Sequence, residues 1–275
     1  MADALRIVVA LDPSAAEASA FDVLRYFRGI DVDLAGVFVE DSNLLSHARS
    51  SLAREIDSGG TREFAIESLE RQLRARSDEM RRYFESVAQA LRGRHSFHVA
   101  RGEVVAEIER VAANCELLVV GVALAHRGLR ARWGAQVHRL TAVGAATTVF
   151  TRDATPPNAI VTAVLRGVEE VAVVAPTALR VAGASLRVLM VADGAESVAR
   201  TRAAMAAALA GYESPVRYDV VADRTPATLE RAIGTKEGCT LVLAAGDSQA
   251  DAELLRELLA ETAWNVMLVR DATGA

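Results

Sequence analysis

Arg6-Ile7-Val8-Val9-Ala10-Leu11, stopped at Asp12-Pro13-Ser14, is the stretch whose reading decides the fold. A short continuous apolar run that ends in a turn reads as a strand buried on both faces, which is the signature of a parallel sheet covered by helices. Ser14 is placed to cap a helix over about 15–28, where Ala18, Phe21, Leu24 and Tyr26-Phe27 fall at helical spacing before Gly29. Working outward, strands are expected at 32–39, Phe97-His98-Val99-Ala100, Glu116 to Gly121 and Thr147 to Phe150. Helices are expected after Gly102, bearing Val105, Ile108 and Val111-Ala112, and over about 134–143. Strands alternating with helices predict an α/β fold with a doubly wound, flavodoxin-like or Rossmann-like parallel sheet.

The same order resumes after Thr155-Pro156-Pro157-Asn158, a proline-rich junction. Strands at 186–192, 218–221, 240–245 and 266–269 alternate with helices at 196–209, through Leu229, and at 252–260. The two parts overlay: Val99-Ala100-Arg101 through Ile108-Glu109-Arg110 matches Val220-Val221-Ala222 through Leu229-Glu230-Arg231. Cys115-Glu116-Leu117-Leu118-Val119 then matches Cys239-Thr240-Leu241-Val242-Leu243. Two domains in tandem, 1–155 and 159–275, follow from this duplication. The second reads as a reduced copy: 186–192 takes the place of the first strand, the counterpart of the second strand and of the long helix is missing, and 159–182, including Val171-Ala172-Val173-Val174, is expected to supply a replacement strand.

Between residues 41 and 93 lies a long polar stretch. In its second half Phe64, Leu69, Leu73, Met80, Phe84, Val87 and Leu91 form one stripe of a helix. About 30 helical residues would span roughly 45 Å, long enough to reach the other half or a second chain.

The chain of 275 residues is 51% hydrophobic and 24% charged, which excludes disordered and low-complexity classes. Its 36 acidic residues outnumber 31 basic ones, so it has no general affinity for nucleic acid and any anion site must be local. The N-terminal MADALRIVVALDPS has an acidic residue where a signal peptide would be basic, and no run approaches the roughly 20 apolar residues of a membrane helix. No membrane association and a reducing cytoplasm are expected. Cys115 and Cys239 each precede an apolar strand, the usual place for small buried residues. The five histidines have no metal-ligand spacing. Neither a nucleotide-binding GxGxxG, a P-loop nor a nucleophile elbow is present, so no catalytic residue is assigned.

Val9-Ala10-Leu11-Asp12-Pro13-Ser14, Gly102 ahead of a helix, and Glu116-Leu117-Leu118-Val119-Val120-Gly121 together resemble the universal stress protein family in its tandem form. That resemblance implies a non-catalytic stress-response binding or signalling protein. It also implies an adenine nucleotide site (ATP or AMP) in the first domain, with Asp12 at the adenine and a phosphate-holding motif of Gly, two residues, Gly, nine residues, Gly, then Ser or Thr. Gly121 and Gly134 match the outer glycines. Leu124 stands at the middle glycine and Ala135 at the hydroxyl position, which obstructs backbone approach to an anion and removes a donor. Arg127, Arg130 and Arg132, beside the helix start at Gly134, offer a substitute for the phosphate or simply a solvated loop. The candidate set is Asp12, Val39, Gly121, Arg127, Gly134 and Ala135. For the second domain, where Asp193-Gly194 is retained but Leu258 and Leu259 fall at the distal glycine position, no cofactor is expected.

Three readings stay open from the sequence: a nucleotide or small-anion binder, a degenerate scaffold acting through protein partners, and an enzyme acting on a bound nucleotide. In the first two, the halves form an intramolecular pseudo-dimer, or the chain forms a homodimer.

Overall fold

The computed structural model describes residues 4–11, 17–27, 29–49, 54–57, 60–63, 66–113, 115–121, 139–140, 145–151, 160–182, 185–234, 239–246 and 248–270. Successive side chains of β1 (Leu5–Leu11) point to opposite faces. Ile7, Val9 and Leu11 enter one apolar layer and Val8 and Ala10 the other, all at most 4% exposed. β1 is therefore a central strand, and the expected doubly wound parallel sheet forms around it.

The first half continues through β2 (Asp31–Asp41), α2 (Ser42–Ala48), a hairpin of β3 (Arg54–Asp57) and β4 (Gly60–Glu63), α3 (Ile66–Ala88), β5 (Arg92–Gly102), α4 (Val104–Ala112), β6 (Leu117–Gly121) and β7 (Thr147–Thr151). The helix expected over 15–28 is α1 (Glu17–Asp22) tightening into a 3-10 turn at Val23–Phe27. The second half comprises β8 (Ile160–Leu165), α5 (Val171–Val181), β9 (Leu186–Val191), α6 (Ala195–Ala208), β10 (Val216–Val221), α7 (Pro226–Ile233), β11 (Cys239–Ala244), α8 (Gln249–Glu261) and β12 (Asn265–Val269).

Ten strands make one sheet in the order β10-β9-β8-β11-β12-β7-β6-β1-β2-β5. Each half has the same internal order, and the halves meet where β12 runs antiparallel to β7. The other neighbours in this sheet, among the described residues, are parallel. Both apolar layers continue across the junction. Val149 and Met267 are partners in one layer, and Phe150 and Val266 in the other.

This topology corrects the alignment of the second half. Its first strand is β8, not 186–192, and β9 is the second strand that the sequence reading took to be missing. Val171-Ala172-Val173-Val174 opens helix α5 rather than a strand: Val171, Val174, Ala175, Ala178 and Val181 are buried at helical spacing over β8. The β-branched run hid that period, and Pro176 inside the helix hid it further. The second copy is reduced only in its crossover, where α6 alone replaces α2, the hairpin and α3.

The long helix is also shorter than its stripe implies and stays on its own half. α3 has 23 residues, about 35 Å, and it lies over β2 and β5. Each of those strands has 11 residues, about 36 Å, so helix and strands match in length. Leu73, Met80, Phe84 and Ala88 face the sheet, and Gly36 of β2 makes room for them. A Cβ at Gly36 would stand 2.8 Å from the Phe84 ring and 3.0 Å from that of Phe97.

Candidate functional site

In an open parallel sheet, ligands bind beyond the carboxyl ends of the strands where the strand order reverses. This chain has two such points, between β1 and β6 and between β8 and β11.

At the first, the register Ala10–Val120 brings Leu11 and Gly121 to the same level at the strand ends. Gly121 closes β6 beside Thr151 of β7. Val39, 2% exposed, lies in the apolar layer under α4, so only its backbone is available to a ligand. Asp12, Arg127, Gly134 and Ala135 lie outside the described residues, as do Leu124, Arg130 and Arg132. Arg139, a few positions on, is described: it pairs with Glu103 at 3.3 Å and Glu109 at 3.4 Å. Glu103 is itself the cap of α4, accepting from the backbone N–H groups of Val105 and Ala106. The ends of β2 and β5 are closed by another pair that sequence reading missed. Glu40, 8% exposed, accepts from Nε and Nη2 of its strand partner Arg101 at 2.8 and 2.7 Å. That hydrogen bond, then the charge of Glu40, raises the Arg101 pKa.

The second reversal point is described except for Asp247, and its chemistry is different. Arg166 directly follows β8 and donates through its backbone N–H (2.7 Å) and its Nε to the buried carboxylate of Glu170. Asp251, in the first turn of α8, accepts from Arg224 Nη2 at 2.8 Å, from Arg166 Nη1 at 3.3 Å and from Ser248 Oγ at 2.6 Å. Ser248 caps α8 and in return accepts the Asp251 backbone N–H. Only residues 245–248 separate β11 from α8, too few for a phosphate-cradling loop of the length expected between Gly121 and Gly134. Asp193, expected to correspond to Asp12, follows β9 and not the strand at the reversal. The signal that could have found this site is the Ser-x-x-Asp capping pattern at 248–251 after an apolar strand, joined to an arginine after each of two further strands.

The described cysteines and histidines are held by the fold. Both cysteines are free and buried, and burial pushes the thiols up, Cys115 to about 11 and Cys239 to about 12. His47 bonds to the Asn43 carbonyl, His98 to Ser96 Oγ, and His95 sits edge-on to Phe84. Among the described residues no group of His, Cys, Asp and Glu would hold a metal ion, and no helix is long and apolar enough to cross a membrane.

No protein-family model matches the sequence, and no curated protein matches it. Solved structures do match over nearly the whole chain. A universal stress protein from Archaeoglobus fulgidus DSM 4304 superposes with a TM-score of 0.57 at 13% identity, covering 96% of each chain. The cytoplasmic domain of a prokaryotic cation chloride cotransporter gives 0.54 at 12% identity, with 99% of this chain and 98% of that one covered. A protein of Pseudomonas aeruginosa UCBPP-PA14 assigned to the universal stress proteins gives 0.54 at 13%, with 96% and 92% covered. The class is thus defined by architecture: an α/β chain with two flavodoxin-like halves on one sheet. The chain has the fold of universal stress proteins in tandem form.

Proposed function

We propose that the chain is a non-catalytic binding and signalling protein of the universal stress type, acting in the cytoplasm as two domains, 1–155 and 159–275, paired within one molecule. An adenine nucleotide, ATP or AMP, binds at the first reversal point, with Asp12 at the base and Gly121, Arg127 and Gly134 around the phosphates. The observation that carries this reading is the inequality of the two reversal points on one fold. Beyond β11 the crevice is taken up by ion pairs of the chain itself. Beyond β6 the strand ends in Gly121, whose lack of a side chain suits backbone approach to a phosphate.

A second reading, a scaffold that binds no nucleotide and works through protein partners, is supported by Leu124 and Ala135 at two motif positions. It is also supported by the likeness to the cytoplasmic domain of a cation chloride cotransporter, where a similar fold is one domain of a transport protein. Calorimetric titration of the full chain with ATP and AMP separates the two. Saturable heat that is lost in Asp12→Ala and in Gly134→Asp is expected. No heat at millimolar nucleotide would overturn the nucleotide reading and leave the scaffold.

A further inference from the structure

The crevice of the second half holds the donors of an oxyanion site. Arg224 and Arg166 come from beyond the ends of two different strands, and the Ser248 hydroxyl meets the same carboxylate as they do. Backbone also comes close: a Cβ built on Gly246 would fall 1.9 Å from Asp251 Oδ2, so only a glycine lets the carboxylate sit where it does. Two guanidinium groups, a hydroxyl and a glycine edge are what a tetrahedral oxyanion needs, with hydrogen bonds to charged donors giving the strongest contacts.

Those donors converge on a carboxylate of the same chain. Asp251 places Oδ1 on Arg224 at 2.8 Å and on Arg166 at 3.3 Å, and Oδ2 on Ser248 at 2.6 Å and Arg166 at 3.5 Å. Its side chain is 11% exposed and that of Arg224 17%. Arg166 is shared with Glu170, but Arg224 has no other acidic partner among the described residues. Without Asp251 a largely buried arginine would stand unpaired, a costly state that invites an anion.

We infer that the second half carries a phosphate-class oxyanion site that the chain fills itself, with the Asp251 carboxylate in the anion's place, so that this half is closed to such ligands while Asp251 is present. This does not rest on nucleotide binding in the first half.

The test uses the full chain and inorganic phosphate, with sodium chloride at matched ionic strength as the reference. Wild type sets the baseline, because phosphate strengthens burial in every variant and any binding in the first half is common to all of them. Asp251→Ala should melt lower in chloride and rise by about 2–4 °C more than wild type does at ten times the dissociation constant of phosphate. That extra rise should vanish in the double variant Asp251→Ala, Arg224→Gln. Asp251→Asn keeps the shape and a hydrogen-bonding group but deletes the charge. It carries the same comparison if the alanine variant does not fold in chloride, a state that phosphate should then repair. The inference is overturned if neither single variant responds to phosphate beyond chloride, or if wild type responds as strongly as they do.

Discussion

Phe150 of β7 and Val266 of β12 are direct partners in the antiparallel pair that joins the halves, and both are 0% exposed. The junction is therefore core and not a contact between two finished surfaces. Phe150→Ala should cost about 3–5 kcal/mol, the usual range for truncating a buried phenylalanine. Unfolding by urea, followed by far-ultraviolet circular dichroism and by Trp264 fluorescence in a Trp133→Phe background, should give coincident single transitions. Two separated transitions in the otherwise unaltered chain would show that the halves are energetically independent.

Gly36 sets the distance of α3 from the sheet. Gly36→Ala should destabilise by about 1–3 kcal/mol through overpacking, because the added methyl meets the Phe84 and Phe97 rings at 3.0 Å or less. Phe84→Leu should relieve part of that penalty, so the double variant should be more stable than the sum of the two single losses. Strict additivity in a double-mutant cycle would refute the packing account.

The thiols give a simpler test. Cys115 and Cys239 are buried, 3% and 1% exposed, with pKa values pushed up by burial. An aromatic disulfide reagent at pH 8 should modify neither in the native protein and both in denaturant. Rapid modification of the folded chain would contradict the burial.

Acid should weaken the fold through Asp251. Burial pushes its carboxyl up, but hydrogen bonds from Ser248 and Arg224 and the charges of both arginines outweigh burial, and the pKa is lowered. A carboxyl titrating lower in the folded than in the unfolded chain stabilises above its unfolded value and loses that contribution as pH falls through the folded one. Stability should accordingly drop below about pH 4, and Asp251→Asn, already lacking the contribution at neutral pH, should show a shallower drop. Equal acid limbs for the two proteins would disprove the assignment.

How far the sequence could be read depended on what each residue had to do. β1, β6 and β11 are central strands whose apolar runs announce themselves, and the match of 99–119 to 220–243 aligned β5, α4 and β6 with their true counterparts. β5 itself is far longer than its legible core, because the exposed, basic residues 92–96 of this edge strand carry no apolar alternation. The β3–β4 hairpin, polar on both arms, left no periodic trace either. Of the candidate site, spacing pointed to Gly121, which the structure places at the end of β6, and to Gly134, which lies outside the described residues, but not to the ion pairs. Glu40 with Arg101, and Asp251 with Arg166 and Arg224, join residues 27 to 85 positions apart through strand order alone.

Fusion through the β7–β12 seam has a consequence for inheritance. In a two-fold dimer of identical subunits every substitution is made twice, so a change that seals one ligand crevice seals both. Here the two crevices are encoded separately, and an Asp251 in one imposes nothing on the other. The seam holds two halves of the same strand order in one sheet while releasing them from having to be alike.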